Sequence, residues 1–223
     1  ELEDLYLPYR PKRRTRATIA REKGLAPLAD RMVAQRDQTG TAAVLAAAFV
    51  DPEKGVATAE EALQGARDIV AERVTETAAC RARIRELTWR SGLLHAQASR
   101  GKADLKSNFS DYYDFHGPVA RIPSHRVLAI FRGEKEGFLS ARIRPDPEEA
   151  MEALRRLVLD PRGSIWTEDV RRATDDAYVR LLSLQIATEV RLELKARADR
   201  EAIEVFARGL RDLLMAPPFG GRP

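Results

Sequence analysis

The chain has 223 residues, enough for one large domain or two small lobes, and its 44% apolar and 32% charged residues exclude a disordered tail. Its 38 Lys and Arg face 34 Asp and Glu, so the formal charge of +4 excludes any argument for a nucleic-acid partner from net charge alone. The single cysteine, Cys80, excludes an internal disulfide, and no apolar run approaches the roughly 20 residues that span a bilayer, so a cytoplasmic protein with no membrane partner is expected.

The chain opens at Glu1 without a methionine and ends just after Pro217-Pro218 and a Gly-Gly pair, which reads as a piece of something longer. Residues 1–15 carry Leu2, Leu5, Tyr6 and Leu7, then Pro8 and Pro11, and predict an extended arm. Thr15 is a candidate N-cap for a helix over 16–23, because its hydroxyl can accept from an otherwise unsatisfied backbone donor, and Gly24 can close that helix in a left-handed conformation. A second helix is expected over 27–36 and an alanine-rich one over 41–49, ending before Asp51-Pro52.

Thr58-Ala59-Glu60-Glu61 reads as a capping box, followed by Leu63, Ala66, Ile69, Val70 and Val74 on one helical stripe. Ala79, Ile84, Leu87 and Trp89 extend the pattern to about Ser91, where Gly92 ends or bends it, and both Trp89 and Trp166 are expected in the core. From 101 to 145 the helical period weakens and the aromatics gather. There Ser124 is expected to cap a short helix to about Glu134, and 138–144 alternates as one strand. Asp146-Pro147 starts a helix to about Leu159, another begins near Thr167, and 178–215 reads as one long charged helix stopped by Pro217-Pro218.

The fold expected is mainly all-α, a multi-helix scaffold with a short β element near 138–144. The expected division is a lobe over 1–145, with the basic arm and the aromatic-rich middle, and a helical lobe over 146–223 leading toward a downstream domain. No sustained heptad pattern calls for a partner coil, so a monomer is expected.

His95, His116 and His125 lie far apart in sequence, none at zinc-ligand spacing, and no P-loop, dinucleotide fingerprint or nucleophile elbow occurs. Glu60-Glu61, Glu148-Glu149 and Asp175-Asp176 fall at helix starts or on charged faces and read as structural. Neither a metal, nor a cofactor, nor catalysis is expected.

Two basic constellations stand out. Arg10, Lys12, Arg13, Arg14 and Arg16 place five positive charges in seven residues after Tyr6 and Tyr9, a pattern that can neutralise phosphates while a ring stacks on a base. The same arm can equally lie over a helical body with its arginines paired to carboxylates. His125, Arg126 and Arg132, within Ile122-Pro123-Ser124-His125-Arg126 and Phe131-Arg132-Gly133-Glu134, could approach a phosphate or a partner strand. They could also serve a capped helix, satisfying carbonyls and carboxylates.

Asp4-Leu5-Tyr6-Leu7-Pro8-Tyr9-Arg10-Pro11-Lys12-Arg13-Arg14-Thr15-Arg16 and Ile19-Ala20-Arg21-Glu22-Lys23-Gly24-Leu25 resemble the N-terminal region of the Tex family of bacterial transcription accessory factors. Asp111-Tyr112-Tyr113-Asp114, the 122–134 segment, Glu189, Arg191, and Ala202-Ile203 with Val205-Phe206 are similar to later stretches of that family. The resemblance implies a helical scaffold preceding a ribonuclease-H-like domain, a helix-hairpin-helix region and an S1 domain, none of which these residues contain. It also implies nucleic acid, RNA or DNA, as a partner, with the transcription machinery as a further one. Leu184-Gln185 where Pro-Ser is usual, Gly209 for asparagine, and Gly117 for an acidic residue depart from the family pattern.

Overall fold

A computed structural model describes residues 14–216, and it is mainly α-helical with a small antiparallel sheet. The helices are α1 (Arg16–Glu22), α2 (Ala26–Ala34), α3 (Ala42–Ala47), α4 (Ala59–Glu76), α5 (Ala78–Ser91), α6 (Ser124–Lys135), α7 (Pro147–Val158), α8 (Thr167–Asp176) and α9 (Ser183–Met215). The strands are β1 (Leu93–Ala98), β2 (Asp114–Pro118) and β3 (Leu139–Arg144). Residues 1–13 of the extended arm expected over 1–15, and the Pro217-Pro218 stop, lie outside the described residues.

The helix starts follow their caps. Thr15 Oγ1 accepts from Thr18 N at 3.0 Å, and Gly24, at φ +83°, follows α1 in the conformation that glycine adopts without strain. Thr58 Oγ1 accepts from Glu61 N at 3.2 Å, and the Glu61 carboxylate reaches back to Ala57 N at 2.7 Å, one residue beyond the cap itself. Asp146 Oδ1 accepts from Glu149 N at 2.9 Å with Pro147 in the first turn of α7. Replacing Asp146 by Ala should cost about 1 kcal/mol, because the cap bond is lost while the rest of the helix stays intact. Asp146→Asn should recover most of it, and urea midpoints of the three proteins decide the point.

The described residues form two compact units, each assembled from segments distant in sequence. One joins the described residues up to Leu87 with Pro145–Ile186. At its centre α4 packs against α1, α2, α3 and α8. Ala62, Ala66, Ile69 and Val70 of α4 are buried, as are Leu25, Leu28, Met32, Leu154, Trp166, Val170 and Leu182. Gln35 ends α2 in the left-handed region at φ 49°, unusual for a residue with a Cβ. Its side chain is held at both ends, donating to Val158 O at 2.9 Å and accepting from Asp160 N at 3.0 Å, which offsets the backbone cost.

Between α8 and α9, Ala177–Leu182 forms a π-helical turn, where the sequence predicted an unbroken helix from Tyr178. Such a turn holds one residue more than an α-turn. Tyr178 and Leu182 remain buried within it.

The other unit contains Thr88–Arg144 and the described residues from Ala187 onward. Its sheet has the order β2-β1-β3 with both pairings antiparallel. The sequence predicted only β3. Burial alternates along β1 and β3, so Leu94, Ala96, Leu139, Ala141 and Ile143 turn inward while the residues between them turn out, and α6 packs against β3. Gly133 permits this approach, since a Cβ there would lie 2.7 Å from Leu139 Cδ1 and 2.9 Å from Phe109 Cγ.

Two further expectations are corrected. Ser124 is the first residue of α6 and not its cap, because Pro123 occupies the extended cap position and the Ser124 hydroxyl donates to the Glu201 carboxylate. Trp89 is half-buried, its Nε1 donating to Glu193 Oε2 at 3.0 Å and its ring 5.9 Å from the Arg197 guanidinium, whereas Trp166 is fully buried as expected.

Candidate nucleic-acid interface

Three of the eight basic residues singled out, Arg10, Lys12 and Arg13, lie outside the described residues. Arg14 and Arg16 belong to the first unit. Arg14 Nη2 sits 2.8 Å from Glu22 Oε2, and Arg16 lines a surface groove of about 370 Å³ with Lys23, Glu61, Gln64 and Asp68. Burial raises the Asp68 carboxyl above the ordinary carboxylate range, opposed by Arg180 and Arg16. The described part of the arm is therefore surrounded by carboxylates. Arg21 continues this pattern, at 2.5 Å from Glu72 Oε2.

His125, Arg126 and Arg132 all lie on α6 of the second unit and are exposed. Val127, Ile130 and Phe131 are the buried residues of this helix, which leaves the basic ones outward. His125 and Arg132 stand seven positions apart, about two turns, and so share a side. Arg126 lies one step round, its guanidinium 5.8 Å from the Phe115 ring. Arg132 Nε donates to Glu136 Oε1 at 2.8 Å, so its charge is partly offset; His125 and Arg126 make no ion pair among the described residues.

The side chains that brace α6 come from α9, far away in sequence. Arg191 places its guanidinium 4.1 Å from the Phe131 ring centre and pairs with Glu134, whose other carboxylate oxygen accepts from Ala141 N at 3.2 Å. Arg197 donates to Ile122 O at 3.1 Å and approaches Ala120 O at 3.4 Å, just before the helix begins. Arg191 carried a family signal in the sequence, but nothing marked Arg197 or Glu201, because their partners lie some 75 positions away.

Sequence reasoning also missed the outward face of the sheet. His95 and His116 pair directly across β1 and β2, and Arg142 faces His95 from β3. Among the described residues no group of three His, Cys, Asp or Glu could hold a metal ion, and no helix is long and apolar enough to cross a membrane. Cys80 is buried, which pushes its thiol up to about 11 and keeps it protonated at neutral pH.

Residues 37–206 match the family described as Tex central region-like, and the chain belongs to that family. It is 42% identical over 236 residues to protein tex of Bordetella pertussis, covering 98% of this chain and 29% of the relative. It is also 42% identical to the transcriptional accessory protein Tex of Neisseria gonorrhoeae, over 98% of this chain and 29% of the relative. Protein YhgF of Escherichia coli is 42% identical, over 100% of this chain and 30% of the relative. The chain thus spans about 30% of the length of these relatives.

Proposed function

We propose that this chain is a non-catalytic, cytoplasmic helical scaffold of a transcription accessory factor, contributing phosphate contacts to nucleic acid and bracing neighbouring domains. The observation that carries the reading is the construction of α6. Arg191, Arg197 and Glu201 fix the helix from α9, while His125, Arg126 and Arg132 are left exposed on it. A rigid helix with outward donors positions phosphates without reading sequence. The name of the Neisseria gonorrhoeae relative, transcriptional accessory protein Tex, supports the same direction.

Fluorescence anisotropy of labelled RNA and DNA across a salt series tests it. Affinity should fall as salt rises, and Arg126→Ala with Arg132→Ala should flatten the slope of log affinity against log salt by about one per lost phosphate contact. A salt slope identical in the variant would remove α6 from the interface.

One observation favours a second reading, a protein-docking module. Along the last turns of α9, Ile203, Val205, Phe206, Leu210, Leu213 and Leu214 are between 45% and 76% exposed. So many apolar side chains on one helix segment suit a protein partner better than a phosphate. Absence of nucleic-acid binding at low salt would favour this reading over the first.

A further inference from the structure

The outward face of the three-stranded sheet carries a set of side chains that the proposed α6 contact does not use. Exposed residues of β1 are Leu93, His95 and Gln97; those of β2 are Asp114, His116 and Pro118; those of β3 include Arg142 and Arg144. The pairing aligns them in rows. His116, His95 and Arg142 form one row across all three strands, and Arg144 lies beside Leu93 in the next.

The two imidazoles are neighbours, with ring centroids 5.6 Å apart and planes tilted by 37°. They form a small aromatic platform on a face that α6 does not cover. Arg142 and Arg144 alternate on one strand and so stand about 7 Å apart along it. In a chain where arginines such as Arg14, Arg31, Arg67, Arg155, Arg171 and Arg180 are matched to carboxylates, neither of these two has an acidic partner among the described residues. The only carboxylate among the strands' exposed residues is Asp114, at the edge, 4.0 Å from His116 Nδ1. Basic charge without internal partners beside flat rings complements a ligand that carries both phosphates and accessible π-faces.

We propose that this sheet face, through His95, His116, Arg142 and Arg144, binds single-stranded RNA. Duplexes hide their base faces in the stack, so only an unpaired strand offers bases to the imidazoles while its phosphates meet the arginines. Gln97 faces Ser140 in the register beside the rings. Their amide and hydroxyl both donate and accept, as does the ribose 2′-hydroxyl that distinguishes RNA from DNA. The inference rests on the reading that this chain touches nucleic acid, but it assigns a different surface and a different kind of contact.

The chain has three histidines, which makes the wild-type protein its own reporter. Imidazole signals followed by NMR during titration with an unstructured oligouridine should move for His95 and His116. Movement of His125 alone would overturn the inference and leave the α6 contact standing. No movement at all, with no anisotropy change, would defeat both. Replacing His95 and His116 together by Ala should weaken oligouridine binding by about tenfold or more, the scale of losing one stacked base. Arg142→Ala with Arg144→Ala should weaken it and reduce its salt dependence, while Arg126→Ala with Arg132→Ala should leave the His95 and His116 shifts in place. Equal affinity for the matching oligodeoxythymidine would overturn the assignment to RNA.

Discussion

Trp166→Ala should destabilise the unit that contains it by about 3–5 kcal/mol, the range for removing a fully buried large aromatic side chain. Trp166 has no exposed surface and immediately precedes α8. Its Nε1 donates to Asp37 Oδ2 at 2.7 Å, and Ile165 N donates to Asp37 O at 3.1 Å. Gln38 reaches Gly163 O at 2.9 Å nearby, so the ring lies under a seam between two loops more than 120 residues apart. Trp166→Phe keeps most of the buried surface but removes the donor, and should cost less than Trp166→Ala. Denaturant midpoints of the three proteins settle the order, and a loss below about 1 kcal/mol for Trp166→Ala would contradict the packing described.

The same seam gives a pH dependence. Arg31, with hydrogen bonds of 3.2 and 2.9 Å, holds the Asp37 carboxyl below the ordinary carboxylate range, and the Trp166 donor adds to the effect. Asp160, beside Arg162, is lowered to about 2 by the arginine side chain and then by its backbone N–H. A carboxyl whose folded value is depressed contributes stability that is complete above its unfolded value and is lost as pH falls through the folded one. The melting temperature should therefore stay flat with respect to these groups above about pH 5 and fall between about pH 4 and pH 2. Trp166→Phe should make the Asp37 share of that fall smaller.

The second large effect is expected at Asp169. Its carboxylate accepts from Arg67 Nη1 at 2.7 Å, and the two side chains are only 10% and 8% exposed. Arg67 also donates to Gln64 Oε1 at 3.0 Å and to the exposed Glu60 carboxylate. Removing one partner of a buried pair strands the other charge away from water, a loss of roughly 3–5 kcal/mol. Glu60 and Gln64 remain to compensate, which places Asp169→Ala near the lower end, about 3 kcal/mol. Pairing Asp169→Leu with Arg67→Met should recover much of the loss, since apolar side chains of similar size carry no such desolvation cost. If the double replacement were as unstable as the single one, the charge argument would fail.

The elements that the sequence made legible are those whose signals are local. Thr15, Thr58 and Asp146 announce their helices through side chains that bond three residues on, and the stripe of α4 repeats at helical spacing. The strands β1 and β2 depend on partners elsewhere. Leu93-Leu94-His95-Ala96-Gln97-Ala98 has weak β character, and Asp114–Pro118 contains glycine and proline, so pairing and not propensity makes them strands. The candidate site divides in the same way. His125, Arg126 and Arg132 are visible as a basic run, whereas the brace from Arg197 and the row of His116, His95 and Arg142 exist only once distant segments meet.

The π-helical turn at Ala177–Leu182 leaves open something that the caps and stripes do not, namely the number of residues in this part of the chain. A sequence one residue shorter here could wind as an ordinary α-helix with better backbone geometry. Since an α-turn completes the same rotation with one residue fewer, Leu182 and Ile186, both without exposed surface, would keep their phase and their packing. Helix chemistry alone would favour the deletion, and the core permits it. Evolution is then free not only to exchange residues such as the exposed Val179 and Leu184 but also to change their number by one.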